Sequence, residues 1–192
     1  MTIFLILAPF GAFGLLMLVT TAAVSLFVTA GLCLAIVAYD LIRGGSLKLF
    51  MAGAVIVFGA LGCYVTLVDG NWSGVAIRMA VDIGFLAIAL LSIAIRLPFT
   101  LQYAREVVDH ETSLLPGFKR ANYIITGVWT GAMLLMALGN IAVLYIPGLP
   151  IWTGLAIAFA ARNSAVYFTK WYPAYRKLKY GQPPTDALPK MH

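Results

Sequence analysis

Charge is scarce in this 192-residue chain: Asp, Glu, Lys and Arg together make up 10% of it, against about a quarter in an ordinary soluble domain. Histidine is scarcer still, with His110 and the terminal His192, neither inside an apolar run. That excludes a bis-histidine haem and argues against an intramembrane zinc-protease site. The two cysteines, Cys33 and Cys63, both sit in apolar stretches and read as small interior residues, not as a disulfide framework or metal ligands. There is no Gly-x-Ser-x-Gly elbow and no phosphate-binding loop. Enzyme is therefore the least favoured class, and no catalytic residue, cofactor or metal is assigned. The N-terminus has no charged region followed by a small-residue cleavage site, so it does not read as a removed signal peptide.

What the chain has instead is hydrocarbon. Hydrophobic residues make up 62% of it and the mean hydropathy is +0.95. A bilayer core of about 30 Å needs roughly 20 apolar residues per helical crossing. Six stretches qualify: Ile3–Val19, Ala22–Ile42, Leu49–Val68, Gly74–Ile95, Tyr123–Tyr145 and Ile151–Thr169. The first two are divided only by Thr20-Thr21, and one long helix is the alternative. Some 40 residues in one helix would extend about 60 Å, which favours two helices and a tight turn. The expected fold is all-α: a polytopic integral membrane protein with six transmembrane helices in three hairpins. Residues 1–171 form the single domain and 172–192 a basic, proline-rich cytoplasmic tail. Asp69-Gly70-Asn71 and Pro147-Gly148-Leu149-Pro150 are the turn signals of the later hairpins. No internal repeat is evident.

The net charge of +6 is distributed unevenly. Arg43 and Lys48, then Arg96, Arg105, Lys119 and Arg120, then Lys170, Arg176, Lys177, Lys179 and Lys190 occupy alternate connections. The opposite connections carry no Lys or Arg. The positive-inside rule then places both termini in the cytoplasm, in a bacterial inner membrane. The basic surplus is a topology signal with anionic headgroups as partner, not a nucleic-acid surface. Asn71-Trp72-Ser73 matches a glycosylation sequon, without meaning in a bacterial protein.

Between the fourth and fifth stretches, Leu101, Ala104, Val107 and Val108 recur at helical spacing among Arg105, Glu106, Asp109 and Glu111. This predicts a cytoplasmic interfacial helix over Pro98–Thr112, ended before Pro116-Gly117; a solvated linker helix is the alternative. Gly127 and Gly131, continuing to Gly139, form a small-residue strip in the fifth stretch, and Gly154 with Ala158 another in the sixth. Such strips let helices approach closely in lipid, within the chain or in a homo-oligomer or other membrane complex.

Polar residues inside apolar spans are the best functional pointers, because inserting a charge there costs at least about 2.5–3.5 kcal/mol. Arg78 and Asp82 share a helix face four residues apart and can form an intrahelical ion pair or line a polar cavity. Arg162, followed by Asn163 and Ser164, needs a partner or water at its depth. Asp40, at a similar level in the second span, is the expected clamp for it. Asn140 suits an interhelical hydrogen bond.

Four segments carry a resemblance: Phe4-Leu5-Ile6-Leu7-Ala8-Pro9-Phe10, Asp40-Leu41-Ile42-Arg43, Arg96-Leu97-Pro98-Phe99 and Leu138-Gly139-Asn140-Ile141. With the layout of residues 4–170, they resemble the bacterial intracellular septation protein A family of inner-membrane proteins. The nearly chargeless start and the longer 103–119 connector depart from that pattern. The resemblance implies a non-enzymatic scaffold or accessory subunit of the cell envelope and septation machinery, with no catalytic residues to carry over. The alternative is a small transporter or channel whose polar path uses Asp40, Arg78, Asp82, Asn140 and Arg162.

Overall fold

A computed structural model describes the backbone of residues 2–179 and the side chains of residues 9–179. Every regular element among them is a helix: α1 Thr2–Val19, α2 Ala22–Ile42, α3 Leu49–Leu67, α4 Gly74–Ala94, α5 Phe99–Ala104, α6 His110–Leu114, α7 Pro116–Tyr145 and α8 Ile151–Lys179. Four of these, α2, α3, α4 and α7, are long and apolar enough to cross a membrane. Pro9–Val19 of α1 is a shorter apolar helix. α8 has the length, but Arg162, Asn163 and Ser164 interrupt its apolar run.

The chargeless opening is two helices. Thr21 takes extended backbone and its hydroxyl accepts from the Val24 N–H, capping α2, which satisfies one of the donors that a helix start leaves free. Ser73 caps α4 through the Ala76 N–H in the same way. Neighbouring helices follow the order α1, α2, α3, α4, α7, α8. Because these helices are apolar nearly all round, periodicity does not choose their inner face. Aromatic rings do. Phe10 and Phe13 of α1 meet Phe85 of α4 and Phe58 of α3 at centroid distances of 4.4 and 5.3 Å. Phe50 joins Phe85 to Phe99 at 5.2 and 4.4 Å. Each such pair contributes about 0.5–1.5 kcal/mol beyond area burial.

Just past the end of α4, Arg96 has a φ of 60°, the left-handed conformation usually given to glycine, which costs a side-chain-bearing residue about 1–2 kcal/mol. The Arg96 and Leu97 N–H groups return to the Ile93 and Ser92 carbonyls, closing the helix end with a paired-carbonyl turn. Pro98 then starts the connector.

That connector is not the expected single helix over 98–112. It is two short helices with a break at 105–109. α5 turns inward: the Thr100 hydroxyl pairs with that of Thr126 at 2.7 Å and bonds the Asn122 carbonyl, and Phe99, Thr100, Leu101 and Tyr103 are buried. Of the residues expected to face the membrane or bundle, Leu101 packs inward, while Val107 is 67% exposed and does not face the bundle. Asp109 restarts the chain as the cap of α6, accepting from the Thr112 N–H and hydroxyl; these bonds hold its carboxyl below the ordinary range. Helix α6 ends before Pro116, as expected, and Pro116 also opens α7. Its missing N–H and fixed φ suit a first turn and force Leu115 to be extended.

Against α5 sits a polar cluster. The buried Lys48 ammonium lies 2.6 Å from Asp40 and 3.1 Å from Glu106, and 5.4 Å from the centre of the Tyr103 ring. The Gln102 side chain accepts the first free N–H of α3, from Leu49, at 2.8 Å. Burial works against the Lys48 charge, but the two carboxylates outweigh it and hold the ammonium above its ordinary pKa. Burial, and then the same two carboxylates, push the Tyr103 phenol up. The Arg176 guanidinium donates to the Gly117 carbonyl. These contacts gather the 43–48 link, the connector and the last turns of α8 at one end of the bundle. The tail therefore begins as helix through Lys179; its proline-rich remainder, 180–192, lies outside the described residues.

Candidate functional site

α7 and α8 cross where their backbones can come close. A Cβ built on Gly139 would lie 3.1 Å from Ile157, and one on Gly154 would lie 3.2 Å from Val143 and 3.3 Å from the Asn140 side-chain oxygen. Ala158 packs partly buried on the same face of α8. Gly127 and Gly131 do not take part: both are exposed and a Cβ there would meet nothing within 4 Å. The strip expected along α7 thus divides into a packed end and an open one.

This close crossing forms one side of a cavity of about 480 Å³ bounded by α1, α4, α7 and α8. Four polar residues line it: Arg78 and Asp82 from α4, Asn140 from α7 and Arg162 from α8. Phe10 and Phe13, with Leu155, Ala158 and Phe159, supply apolar walls. Asp82 lies about 12 Å along α4 from its start, Arg162 about 16 Å along α8, and Asn140 about 8 Å before the end of α7, at 1.5 Å per residue. All three are well inside their helices.

The polar groups are not arranged as an intrahelical ion pair. The Asn140 amide donates to Asp82 Oδ2 at 2.7 Å, with Asp82 and Asn140 only 7% and 4% exposed. That bond fixes the carboxylate toward α7. Among the described residues neither Arg78 nor Arg162 comes within ion-pair distance of a carboxylate, although both act on Asp82 at longer range. Arg78 Nε is buried without an acceptor. The Arg162 guanidinium lies over the Phe10 ring, 5.3 Å from its centre, a cation–π contact that offsets part of its desolvation.

Asp40 is elsewhere. Its expected clamp with Arg162 does not form, because Lys48, only eight residues on, takes its carboxylate. Chemically the cavity can hold an oxyanion: each guanidinium offers five N–H donors in a fixed fork, and two face one carboxylate that is already engaged. Among the described residues no three His, Cys, Asp or Glu side chains converge to hold a metal ion. The apolar lining was not marked by the sequence, since Phe10, Leu155 and Phe159 look like any other residue of an apolar helix. No protein-family model, curated protein or solved structure matches the chain.

Proposed function

We propose that this chain is a solute-binding membrane protein of the small transporter or channel type, with the cavity between α1, α4, α7 and α8 as its binding site. The observation that carries this reading is the convergence of Arg78, Asp82, Asn140 and Arg162, from three helices, on one cavity. Ionisable groups deep in a spanning region are costly and point to a functional site by default, and a shared cavity supports a solute pathway. In this reading α1 and α8 cross the membrane beside the four long apolar helices. The six spans stand in a bacterial inner membrane with the basic end, and both termini, in the cytoplasm.

The orientation is checked by maleimide labelling of intact cells carrying Asn71→Cys or Gln182→Cys in a background free of the native cysteines. Asn71→Cys should label from outside and Gln182→Cys only after lysis; the reverse pattern would overturn the orientation. For the function, proteoliposomes with an imposed gradient of organic anions should show flux above protein-free vesicles. Arg162→Gln should lower it by about tenfold, the effect of losing some 1.4 kcal/mol of interaction. Flux equal to empty vesicles for every anion offered would reject the reading.

The septation-family resemblance supports a second reading, an envelope scaffold or accessory subunit. One feature favours it: the exposed Gly127 and Gly131, against whose Cβ positions nothing among the described residues lies within 4 Å, would suit a partner helix.

A further inference from the structure

We propose that the cavity takes an amphiphilic anion, an oxyanion head with an apolar chain, seated with its head at Arg78 and Arg162 and its chain leaving between α1 and α8. The inference rests on the solute-binding reading and names the ligand class for that site.

Charge sets the head. Two guanidiniums and one carboxylate line the cavity, so the lining is net positive whether Asp82 is ionised or protonated. One oxygen of Asp82 already accepts from Asn140, and Arg78 Nε is a buried donor with no acceptor. A cation would be repelled, and a neutral solute would leave the net positive lining without a counter-charge. A carboxylate or phosphate answers both guanidiniums with charge-assisted hydrogen bonds.

The walls and the mouth set the chain. Apart from the four polar residues, the lining is hydrocarbon and glycine, with Phe10 and Phe13 on one side and Leu155 and Phe159 on the other. A small, fully hydrated anion would gain the guanidiniums but lose water against those walls with no apolar contact to offset it. Phe159 and Leu155 also open outward, 73% and 46% exposed, and Gly14 opposite them is exposed too. Exposed apolar surface midway along a spanning helix meets lipid, not water. The mouth between α1 and α8 is thus lateral, and an apolar chain can pass through it into hydrocarbon while the head stays at the arginines.

The full chain in phosphatidylcholine nanodiscs, loaded with a fluorescent fatty-acid probe, tests this by displacement. Dodecanoate and dodecyl phosphate should displace the probe at about tenfold lower concentration than dodecanol, equivalent to 1.4 kcal/mol. Arg162→Gln should erase that preference and Arg162→Lys should restore most of it. Gly14→Leu, where a Cβ meets nothing within 4 Å, should leave folding intact yet weaken chain-bearing anions several-fold by narrowing the mouth.

Displacement by phosphatidic acid built into the nanodisc, as well as by free dodecanoate, would place the natural source in the bilayer. Displacement by free dodecanoate alone would place it in solution, and either result supports the proposal. Equal displacement by dodecanol would overturn it, as would equal displacement by acetate or inorganic phosphate. In the second case anion flux would persist and the solute-binding reading would stand; failure of both binding and flux would remove the two together.

Discussion

Gly154→Leu should destabilise the protein by about 3 kcal/mol, the sum of two costs. Overpacking a closed contact typically costs 1–3 kcal/mol, and here the new side chain meets Val143 and the Asn140 side-chain oxygen at 3.2–3.3 Å from its first carbon alone. Pushing Asn140 aside then breaks its bond to Asp82, leaving a buried carboxylate without its donor at a further cost of about 1–3 kcal/mol. Gly127→Leu on the opposite stretch of α7 is the control. Nothing lies within 4 Å of its Cβ position, and leucine is the better helix former by several tenths of a kcal/mol. Denaturant unfolding in micelles, followed by circular dichroism, should show a large loss for the first variant and none for the second. Equal losses would mean that α7 and α8 do not cross at Gly154.

Lys48→Met should cost about 2 kcal/mol. Breaking a buried ion pair from one side costs about 3–5 kcal/mol, reduced here because the Asp40 and Glu106 side chains keep 26% and 38% of their exposure. The same variant has a pH signature. The folded state raises the Lys48 pKa above its ordinary 10.5. The stabilisation is therefore fully present below the unfolded value and fades as pH rises through the folded one. Wild type should lose more stability across that alkaline window than Lys48→Met, whose remaining loss comes from the raised Tyr103 phenol. Parallel curves for the two proteins would show that Lys48 is not the group responsible.

The sequence marks Arg78, Asp82, Asn140 and Arg162 because polar groups stand out against hydrocarbon, whatever the fold. It does not show that they meet. Asp82 and Asn140 are separated by 58 residues, and their contact depends on α4 lying against α7, which no local pattern encodes. Asp40 stands outside the group for a related reason: depth in the membrane matches it with Arg162, whereas the nearby Lys48 reaches it first. The helix limits are readable where side chains cap the backbone, at Thr21 and Ser73. They are misread at the connector, where the apolar spacing of Leu101, Ala104, Val107 and Val108 mimics a continuous amphipathic helix. The contrary signal was Asp109, a helix-starting residue three positions before Thr112, together with a proline at 116 that suits the first turn of the next helix.

The walls of the cavity differ in stiffness. α4 and α7 are joined by the short Asp82–Asn140 hydrogen bond, and α7 and α8 by the bond from the Trp129 indole to Thr169 at 3.0 Å as well as by backbone contact at glycine. From Pro9 to Val19, α1 is attached to these walls by ring faces: Phe10 on Phe85 and beneath Arg162, and Phe13 on Phe58. A directed hydrogen bond loses most of its strength when displaced by an ångström, whereas dispersion between broad ring faces is shared over many weak atomic contacts. Hydrostatic pressure should therefore change the volume of this cavity mainly through α1, the side held by ring faces and not by directed hydrogen bonds.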